Sequence, residues 1–502
     1  MLRKIRTILA AVFFVLITLL FLDFTGTLHH WLSWMAKIQF LPAVMALNLA
    51  VVIALVLLTL IFGRIYCSVI CPLGVFQDVL ARLRRKKNKY SYSKEVRWLR
   101  YPMLVVFIIA GVAGIGSLFQ LLAPYSSYGR MATMLFQPLW KMCNNLLAVL
   151  AERADSYAFY TVDTWMRSLP VFIIAAITLV VLVILAWRGG RTYCNTICPI
   201  GTILSFLARF SFLKIRFNED KCKNCSMCSK NCKAACIDYK THTVDHSRCV
   251  VCGNCIDKCK FGALTYSLPK KSSKPNNGEA SKIDASKRSF LLASALVSTA
   301  ALAQKKEKLM DGGLAELEDK VAPERQTPLT PPGSLSFQNL STRCTGCQLC
   351  VSECPNQVLR PSSDLMHLMQ PTMSYEHGYC RPECNRCSEV CPAGAIKPVD
   401  KDEKTSIQIG HAVWIKKNCV PITDEVECGN CARHCPAGAI EMVPLDENDE
   451  ESPMIPAINE AACIGCGACE YVCPSRPFSA IYVEGHEVHK KISEILGIPR
   501  IT

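Results

Sequence analysis

Charge is scarce in this chain. Only 19% of its 502 residues are charged, against 51% hydrophobic, which excludes a disordered polypeptide. Acidic residues are the scarcer kind, at 41 Asp+Glu against 56 Lys+Arg, and the deficit is uneven. Residues 1–288 hold 37 basic and 13 acidic side chains, whereas 289–502 hold 19 and 28. The net +15 is thus +24 in the first part and −9 in the second, which points to two compartments or two partners rather than one nucleic-acid-binding face. Histidine is missing from every long apolar run, so a haem buried among such helices would find no imidazole ligand. A glycine-rich phosphate loop is missing too, which argues against a complete NADH-linked or flavin enzyme.

Cysteine, by contrast, is abundant, at 30 residues. Disulfide scaffolds are usually far shorter, because the bridges replace a core that a long chain can build for itself. The cysteines are therefore read as metal ligands.

Apolar runs at 5–22, 41–62, 101–122 and 169–187 each approach the ~20 residues that span a bilayer's hydrocarbon, so four spans are expected. No small-residue cleavage frame follows the first, in Phe21-Leu22-Asp23-Phe24, and it is read as a retained helix rather than a signal peptide. Loop 63–100 carries ten Lys and Arg, including Arg84-Arg85-Lys86-Lys87, against one in 23–40 and four in 123–168. The positive-inside rule then puts that loop and both ends of the bundle in the cytoplasm. His29 and His30, at the outer end of span one, could accept a quinol proton, though an interfacial pair is more often simply solvated.

A nine-residue frame recurs after spans two and four: Tyr66-Cys67-Ser68-Val69-Ile70-Cys71-Pro72-Leu73-Gly74 and Tyr193-Cys194-Asn195-Thr196-Ile197-Cys198-Pro199-Ile200-Gly201. The repeat predicts a duplicated two-helix unit. Cysteines at i and i+4 share a helix face. Cys67, Cys71, Cys194 and Cys198 are redox candidates; sharing a metal, forming a redox pair and lining a quinone pocket all remain open, as does plain packing.

Next come Cys222, Cys225, Cys228 and Cys232, then Cys249, Cys252, Cys255 and Cys259, both in the C-x2-C-x2-C-x3-C spacing of bacterial ferredoxins. In that arrangement the fourth cysteine serves the other cluster, giving Cys222, Cys225, Cys228 with Cys259, and Cys249, Cys252, Cys255 with Cys232. Zinc would want two pairs and a spacer rather than four cysteines in eleven residues. Lys233 and Lys260 replace the usual proline after the fourth cysteine, a change expected to affect cluster packing or potential rather than occupancy, and Cys236 could compete with Cys232. Cys143, in the long outer loop, is read as incidental.

Residues 269–288 are polar and basic, a flexible tether. Segment 289–303 follows Lys287-Arg288 and ends in Ala301-Leu302-Ala303, which resembles a twin-arginine export signal with lysine in the first position. Export in the folded state suits a domain loaded with clusters in the cytoplasm. A short packing helix with everything remaining cytoplasmic is the alternative.

Beyond the Pro-rich stretch 304–340 lie four more groups: Cys344, Cys347, Cys350, Cys354; Cys380, Cys384, Cys387, Cys391; Cys419, Cys428, Cys431, Cys435; and Cys463, Cys466, Cys469, Cys473. Proline follows each fourth cysteine, at Pro355, Pro392, Pro436 and Pro474. Six 4Fe-4S clusters are expected in all, and four groups can exchange fourth ligands in more than one way.

On these motifs the first part resembles the NapH family of membrane ferredoxin-type proteins, in its spans, its two C-x3-C-P motifs and its two-cluster domain. The remainder resembles the NapG/MauM family of exported four-cluster ferredoxins, through Thr330-Pro331-Pro332-Gly333, Gly378-Tyr379-Cys380, Cys391-Pro392-Ala393-Gly394-Ala395-Ile396 and Ile407-Gln408-Ile409-Gly410-His411-Ala412-Val413. The resemblance implies that outer groups exchange fourth ligands with each other, and inner ones likewise. Cys473 would then complete the Cys344 group, Cys354 the Cys463 group, Cys435 the Cys380 group and Cys391 the Cys419 group.

The expected fold is an α-helical membrane bundle of four spans followed by two α+β ferredoxin-like modules. Its parts are a membrane domain 1–210, a two-cluster domain 211–268, the tether, the export-like segment, the Pro-rich linker, a four-cluster domain 341–485 and a tail 486–502. The expected function is electron transfer in a bacterial inner membrane, as a component resembling a quinol dehydrogenase subunit rather than a complete enzyme. Electrons would run from a quinol through the clusters to a redox protein, a periplasmic reductase if the second module is exported. Single-use donation for the maturation or reactivation of a metalloenzyme is the alternative, and no nucleic acid is expected as partner.

Overall fold

The structure is a computed structural model that describes residues 2–84, 90–155, 159–162, 164, 166–268, 318–446 and 452–492. The tether, the export-like segment with Lys287 and Arg288, and most of the tail lie outside the described residues.

Among the described residues two helices are long and apolar enough to cross a bilayer: Leu2–Leu22, with mean hydropathy 2.6, and Leu169–Gly189, with 3.1. The other two expected spans are each divided. Phe40–Met45 stops short of Leu49–Phe62 because Leu47 turns left-handed (φ 55°) and the Asn48 side chain accepts the Val51 N–H at 3.3 Å, capping the second piece. Arg97–Val112 is separated from Gly116–Leu122 by Gly114 at φ 73°, a conformation that glycine adopts without a Cβ penalty.

Most of the described residues of 123–168, expected as an outer loop, are helical; the first helix belongs to the interior and the last is largely exposed. Pro124 opens Pro124–Met131, which continues through a π-helical turn, Ala132–Phe136, into Gln137–Glu152. Tyr125, Tyr128, Arg130 and Met131 are buried. Tyr128 packs edge-on against Phe14 at 5.6 Å and Tyr125 lies 5.8 Å from Phe21, which seats this helix along the opening one. The Arg130 guanidinium donates to the Gln120 carbonyl at 2.9 Å. Cys143 sits exposed on the last of these helices.

The first cluster module is α+β, as expected. Lys214–Phe217 pairs antiparallel with Leu264–Ser267, and a small hairpin joins Ile237–Asp238 to Thr243–Val244. One-turn helices Met227–Lys230 and Asn254–Lys258 follow the middle cysteines of each group. In the second module the antiparallel pairs are Leu359–Pro361 with Pro371–Met373, Ile407–Trp414 with Ile481–Lys491, and Ile440–Pro444 with Met454–Ile458.

The two modules dock at opposite ends of the opening helix. At its start, Arg3 pairs with Asp257 of the first module, and Arg64 and Arg100 both donate to the Ser247 carbonyl, at 3.0 and 3.4 Å. Past its end, Gln120 donates to the Cys344 carbonyl (3.1 Å), Gln137 to that of Ser352 (3.4 Å), Arg167 to that of Val351 (2.7 Å), and Ser126 to that of Thr345. A Cβ on Gly129 would lie 2.3 Å from the Cys347 carbonyl and 3.0 Å from Phe21, so glycine is what lets the second module approach. At 1.5 Å per residue, Arg3 and Phe21 stand about 27 Å apart along the axis.

Candidate metal centres

The ferredoxin spacing has a backbone consequence that recurs in all four groups that carry it. The residue two after the first cysteine and the residue one after the second both have positive φ: Asn224 and Ser226, Val251 and Gly253, Gly346 and Gln348, Gly465 and Gly467. Such paired left-handed turns curl the chain into a concave nest of amide groups, the form that backbone takes around an anion. Three residues past the fourth cysteine another left-handed residue follows in five of six groups: Ala235, Gly262, Gln357, Gly394 and Gly438. It brings amides back onto sulfur, with Ala263 N–H donating to Cys259 Sγ and Ala439 N–H to Cys435 Sγ, each at 3.3 Å, and Ile396 N–H to Cys391 Sγ at 3.4 Å. Amide donors to ligand sulfur stabilise thiolate and tune cluster potential.

Burial pushes the thiols of Cys255, Cys350, Cys387 and Cys469 well up, so they become thiolates only against a positive partner, which cluster iron supplies. Among the described residues no three His, Cys, Asp or Glu side chains close around a single ion. The residues present fit 4Fe-4S clusters, whose four ligand sulfurs stand apart on the corners of a cubane.

In the first module the cysteines are placed as the crossover would need them. Cys222, Cys225, Cys228 and Cys259 line one cavity, and Cys232 falls within electrostatic reach of Cys252 and Cys255 in the other frame. Cys236 is placed among these ligands: it is buried, stands 3.5 Å from Cys232 and reaches Cys249 as well, and the hydrogen bond between the two thiols takes Cys232 down to about 7 and Cys236 well up.

The second module departs from the pairing implied by resemblance. Cys391 joins Cys344, Cys347 and Cys350, and Cys354 joins Cys380 and Cys387. Cys473 shares a cavity with Cys419, Cys428 and Cys431, and Cys435 shares one with Cys463, Cys466 and Cys469. Clusters held here would therefore take their fourth ligands from the neighbouring group, first with second and third with fourth. The helices Leu349–Glu353 and Arg386–Val390 pack against one another, as do Asn430–Arg433 and Ala468–Val472, and each pair forms a self-contained two-cluster unit.

The frames also fall into a line. Cys350 faces Cys387; Cys380 N–H donates to the Cys466 carbonyl at 2.9 Å; Cys469 faces Cys431. The order outward from the helices is the Cys344, Cys380, Cys463 and Cys419 frames, and the last adjoins an open polar groove of about 720 Å³ edged by Lys417, Glu427, Arg433 and Arg476. A second cavity, apolar and about 280 Å³, lies where helices meet the second module, with Phe40, Met45, Phe107 and Phe119 on one side and Ser341, Thr342 and Cys344 on the other. His29 reaches this interface as well, buried 3.7 Å from Glu353; burial takes its imidazole down to about 4 and the Glu353 carboxyl up to about 8.

The repeated C-x3-C-P motifs are brought together. Cys71 and Cys198 are N-caps, with Pro72 and Pro199 in the first helical position of Pro72–Leu83 and Pro199–Ala208. All four cysteines are 3–5% exposed, in one core. Their frames are locked by two arginines that the nine-residue reading left out. Arg64 donates to the Cys194 carbonyl at 3.2 Å and to Asn195 at 2.9 Å, and Arg191 donates to the Cys67 carbonyl at 2.5 Å. Gly74 and Gly201 leave room for the crossing, since a Cβ on either would fall 2.7–2.9 Å from the opposite arginine. The signal was in the sequence: Gly63-Arg64 and Gly190-Arg191 extend the repeat by three residues.

Lys233 has a role that spacing could not show. It is 5% exposed, pairs with Asp78 of the helical part at 3.3 Å, and its carbonyl accepts the Arg191 N–H at 2.9 Å. The absent proline is thus a docking lysine. Lys260 is exposed.

Comparison with known proteins agrees with this division. A family model described as a 4Fe-4S binding domain matches residues 44–90 and 169–218, a 4Fe-4S dicluster domain matches 343–395 and 426–476, and another 4Fe-4S binding domain matches 242–265. The two dicluster matches bracket Cys344 to Cys391 and Cys428 to Cys473, the units seen in the structure. The ferredoxin-type protein NapH of Escherichia coli is 28% identical over 234 residues, 45% of this chain and 69% of that protein. The methylamine utilization ferredoxin-type protein MauM of Methylobacillus flagellatus is 32% identical over 166 residues, 32% of this chain and 70% of its own length. An uncharacterized protein of Methanocaldococcus jannaschii is 23% identical over 282 residues, 54% of this chain and 89% of that one. No solved structure matches. With its cysteine frames, its paired two-cluster units and these relatives together, the chain belongs to the NapH/MauM-like family of ferredoxin-type electron-transport proteins.

Proposed function

We propose that this protein is embedded in a membrane by four apolar segments, two of them broken, and carries electrons from a quinol to a redox protein on the far side. The observation that carries the reading is the docking of the two modules at opposite ends of a helix long enough to cross a bilayer. The first module lies at the end where Lys and Arg concentrate, the cytoplasmic side by the positive-inside rule, which puts the second module in the periplasm. The apolar cavity beside Cys344 suits a quinol ring: it opens among helices, and its rim is a ligand of the first cluster in the outward line. Electrons would leave from the Cys419 frame, where the polar groove offers a partner a place to dock.

Two measurements test this. A reporter active only outside the cytoplasm, fused to the C-terminus, should be active, and should fall silent when Lys287 and Arg288 are both changed to glutamine. A soluble menaquinol added anaerobically to the purified chain should bleach its cluster absorbance, and with an electron acceptor present should do so over many cycles. A silent unmutated reporter sinks the sidedness, and clusters that no quinol reduces sink the donor. One turnover per chain would favour single-use donation to a maturing metal centre.

A further inference from the structure

We infer that Cys67, Cys71, Cys194 and Cys198 together hold one further iron–sulfur cluster, set among the helices between the two modules. Each matched 4Fe-4S segment in this region contains only two cysteines, half the ligands that a cluster takes. The crossed arginines bring the halves together, and each thiol comes within electrostatic reach of thiols from the other motif.

Three features of the site call for a buried anion. Two helices of 12 and 10 residues begin at Cys71 and Cys198, so the positive ends of both helix dipoles rest on these sulfurs. Donors are aimed at sulfur: Gly201 N–H at Cys198 Sγ and the Gln77 amide at Cys194 Sγ, each at 3.3 Å, with Arg64 Nη2 3.9 Å from Cys67 Sγ. Charge supplies the third. Arg6, Arg191 and Lys233 share one carboxylate, Asp78, at 3.0, 2.8 and 3.3 Å, and Arg64 is a fourth buried cation of the site; all four are at most 5% exposed. Arg64 Nε and Arg191 Nη2 find no hydrogen-bond partner among the described residues. Three buried cations on one carboxylate, with a fourth buried in the same site, are costly unless more negative charge sits among them. Four neutral thiols bring none, whereas four thiolates around an oxidised cubane leave about −2.

Sulfur ligands select zinc or iron–sulfur, and the surroundings decide for a redox centre. On one side Cys252 of the first module lies within electrostatic reach of Lys233 and Asp78, which Arg191 joins to Cys67. On the other, Tyr66 stands among Cys67, Cys71 and Cys198, while Tyr125 lies between Tyr66 and the Cys347 and Cys391 ligands of the second module. A cluster here takes one electron from a neighbouring cubane and gives one to the next, its iron changing by one charge while the thiolates stay bound. The relay role adds to the electron-transfer reading above a route between the first module and the Cys344 frame, and rests on that reading; the ligation does not.

The test is made on the full chain, purified anaerobically. Iron and acid-labile sulfide should each reach about 28 per chain if the centre is a cubane, or about 26 if it is a two-iron cluster, rather than the ~24 of six ferredoxin frames. Changing all four cysteines to serine should remove that increment and one component of the Mössbauer and EPR spectra, with the ferredoxin components unchanged. Unaltered iron and spectra, one zinc per chain lost in the variant, or a disulfide found by mass spectrometry would each overturn the assignment. Should the quadruple variant fail to assemble, Gln77→Leu removes only the donor to Cys194. It should move one spectral component in a redox titration to lower potential, and no movement in any component overturns the proposal. A chain with the extra iron that no quinol reduces would sink the donor reading and leave this centre standing.

Discussion

The Arg191 guanidinium donates to the carbonyl oxygen of Cys67, 124 positions earlier, and on its other edge pairs with Asp78 at 2.8 Å. Both residues are buried, and this one side chain ties the second copy of the repeat to the first.

Arg191→Met should therefore be destabilising. Asp78 keeps Arg6 and Lys233 as partners, so what is lost is the charge-assisted bond that joins the two copies, typically about 1.5–3 kcal/mol. The midpoint of thermal unfolding in detergent should fall, and Asp78→Asn, which leaves Arg6, Arg191 and Lys233 without their carboxylate, should lower it further than Arg191→Met does. An unchanged midpoint would mean that the crossing carries no stability.

Lys233→Pro restores the residue that follows the fourth cysteine in the second module. Iron in the first module should be unchanged, since proline is no ligand. Loss of a buried cation near Cys252 should lower the potential of that cluster, on the order of 60 mV for a tenfold change in its reduction equilibrium. A redox titration followed by EPR reads the shift.

Fourth-ligand exchange between neighbouring groups makes a counting prediction. Cys347 and Cys391 belong to one frame, so changing both to serine should remove one cluster, about four irons. The pairing implied by resemblance puts them in different frames and would remove about eight. Iron analysis of the single and double variants distinguishes these outcomes.

Gly129→Ala places a methyl group against the Cys347 carbonyl. Overpacking of this kind costs about 1–3 kcal/mol, and here it falls on the contact between the helices and the second module. Faster proteolytic release of the second module is expected, with cluster content intact. Wild-type release rates would show that the contact has slack.

His29 and Glu353 together set how docking responds to pH. Burial lowers His29 to about 4 from the ordinary 6.5, with Asp23 opposing and Lys37 and Arg386 adding to the effect, and raises Glu353, 3.7 Å away, to about 8 from 4.5. From about 4.5 to 6.5 the proton that His29 excludes on docking is offset by the one that Glu353 retains; from about 6.5 to 8 only Glu353 acts, and docking weakens as pH rises. Release of the second module should increase as pH rises through that upper window, and Glu353→Gln should remove this slope and leave release increasing only as pH falls below about 6.5.

Much of this architecture was legible because cubane ligands are encoded locally. The left-handed turns at Gly346 and Gln348, or at Gly465 and Gly467, follow from the short cysteine intervals themselves. Spacing is silent on which group trades its fourth ligand with which, since that depends on how one-turn helices pack, and the pairing from resemblance was wrong for this reason. Hydropathy averages over a window and so cannot see a break made by Leu47 and Asn48 or by Gly114. It also passed over Pro124–Met131, where tyrosines, a glycine and an inward-facing arginine dilute the apolar signal of a helix that is nonetheless buried. Arg64 and Arg191 were missed because a motif was bounded at its aromatic residue, although the identity of the two copies continued beyond it.

The crossing of those two arginines also limits how the repeat can exist. Each copy makes a guanidinium that its own fold cannot satisfy and leaves open a carbonyl that only its twin can reach. One copy alone would be a half-built object with a stranded charge. An ancestor carrying a single two-helix unit would have had to pair with a second subunit about a twofold axis, and joining the two in one chain made that partnership permanent.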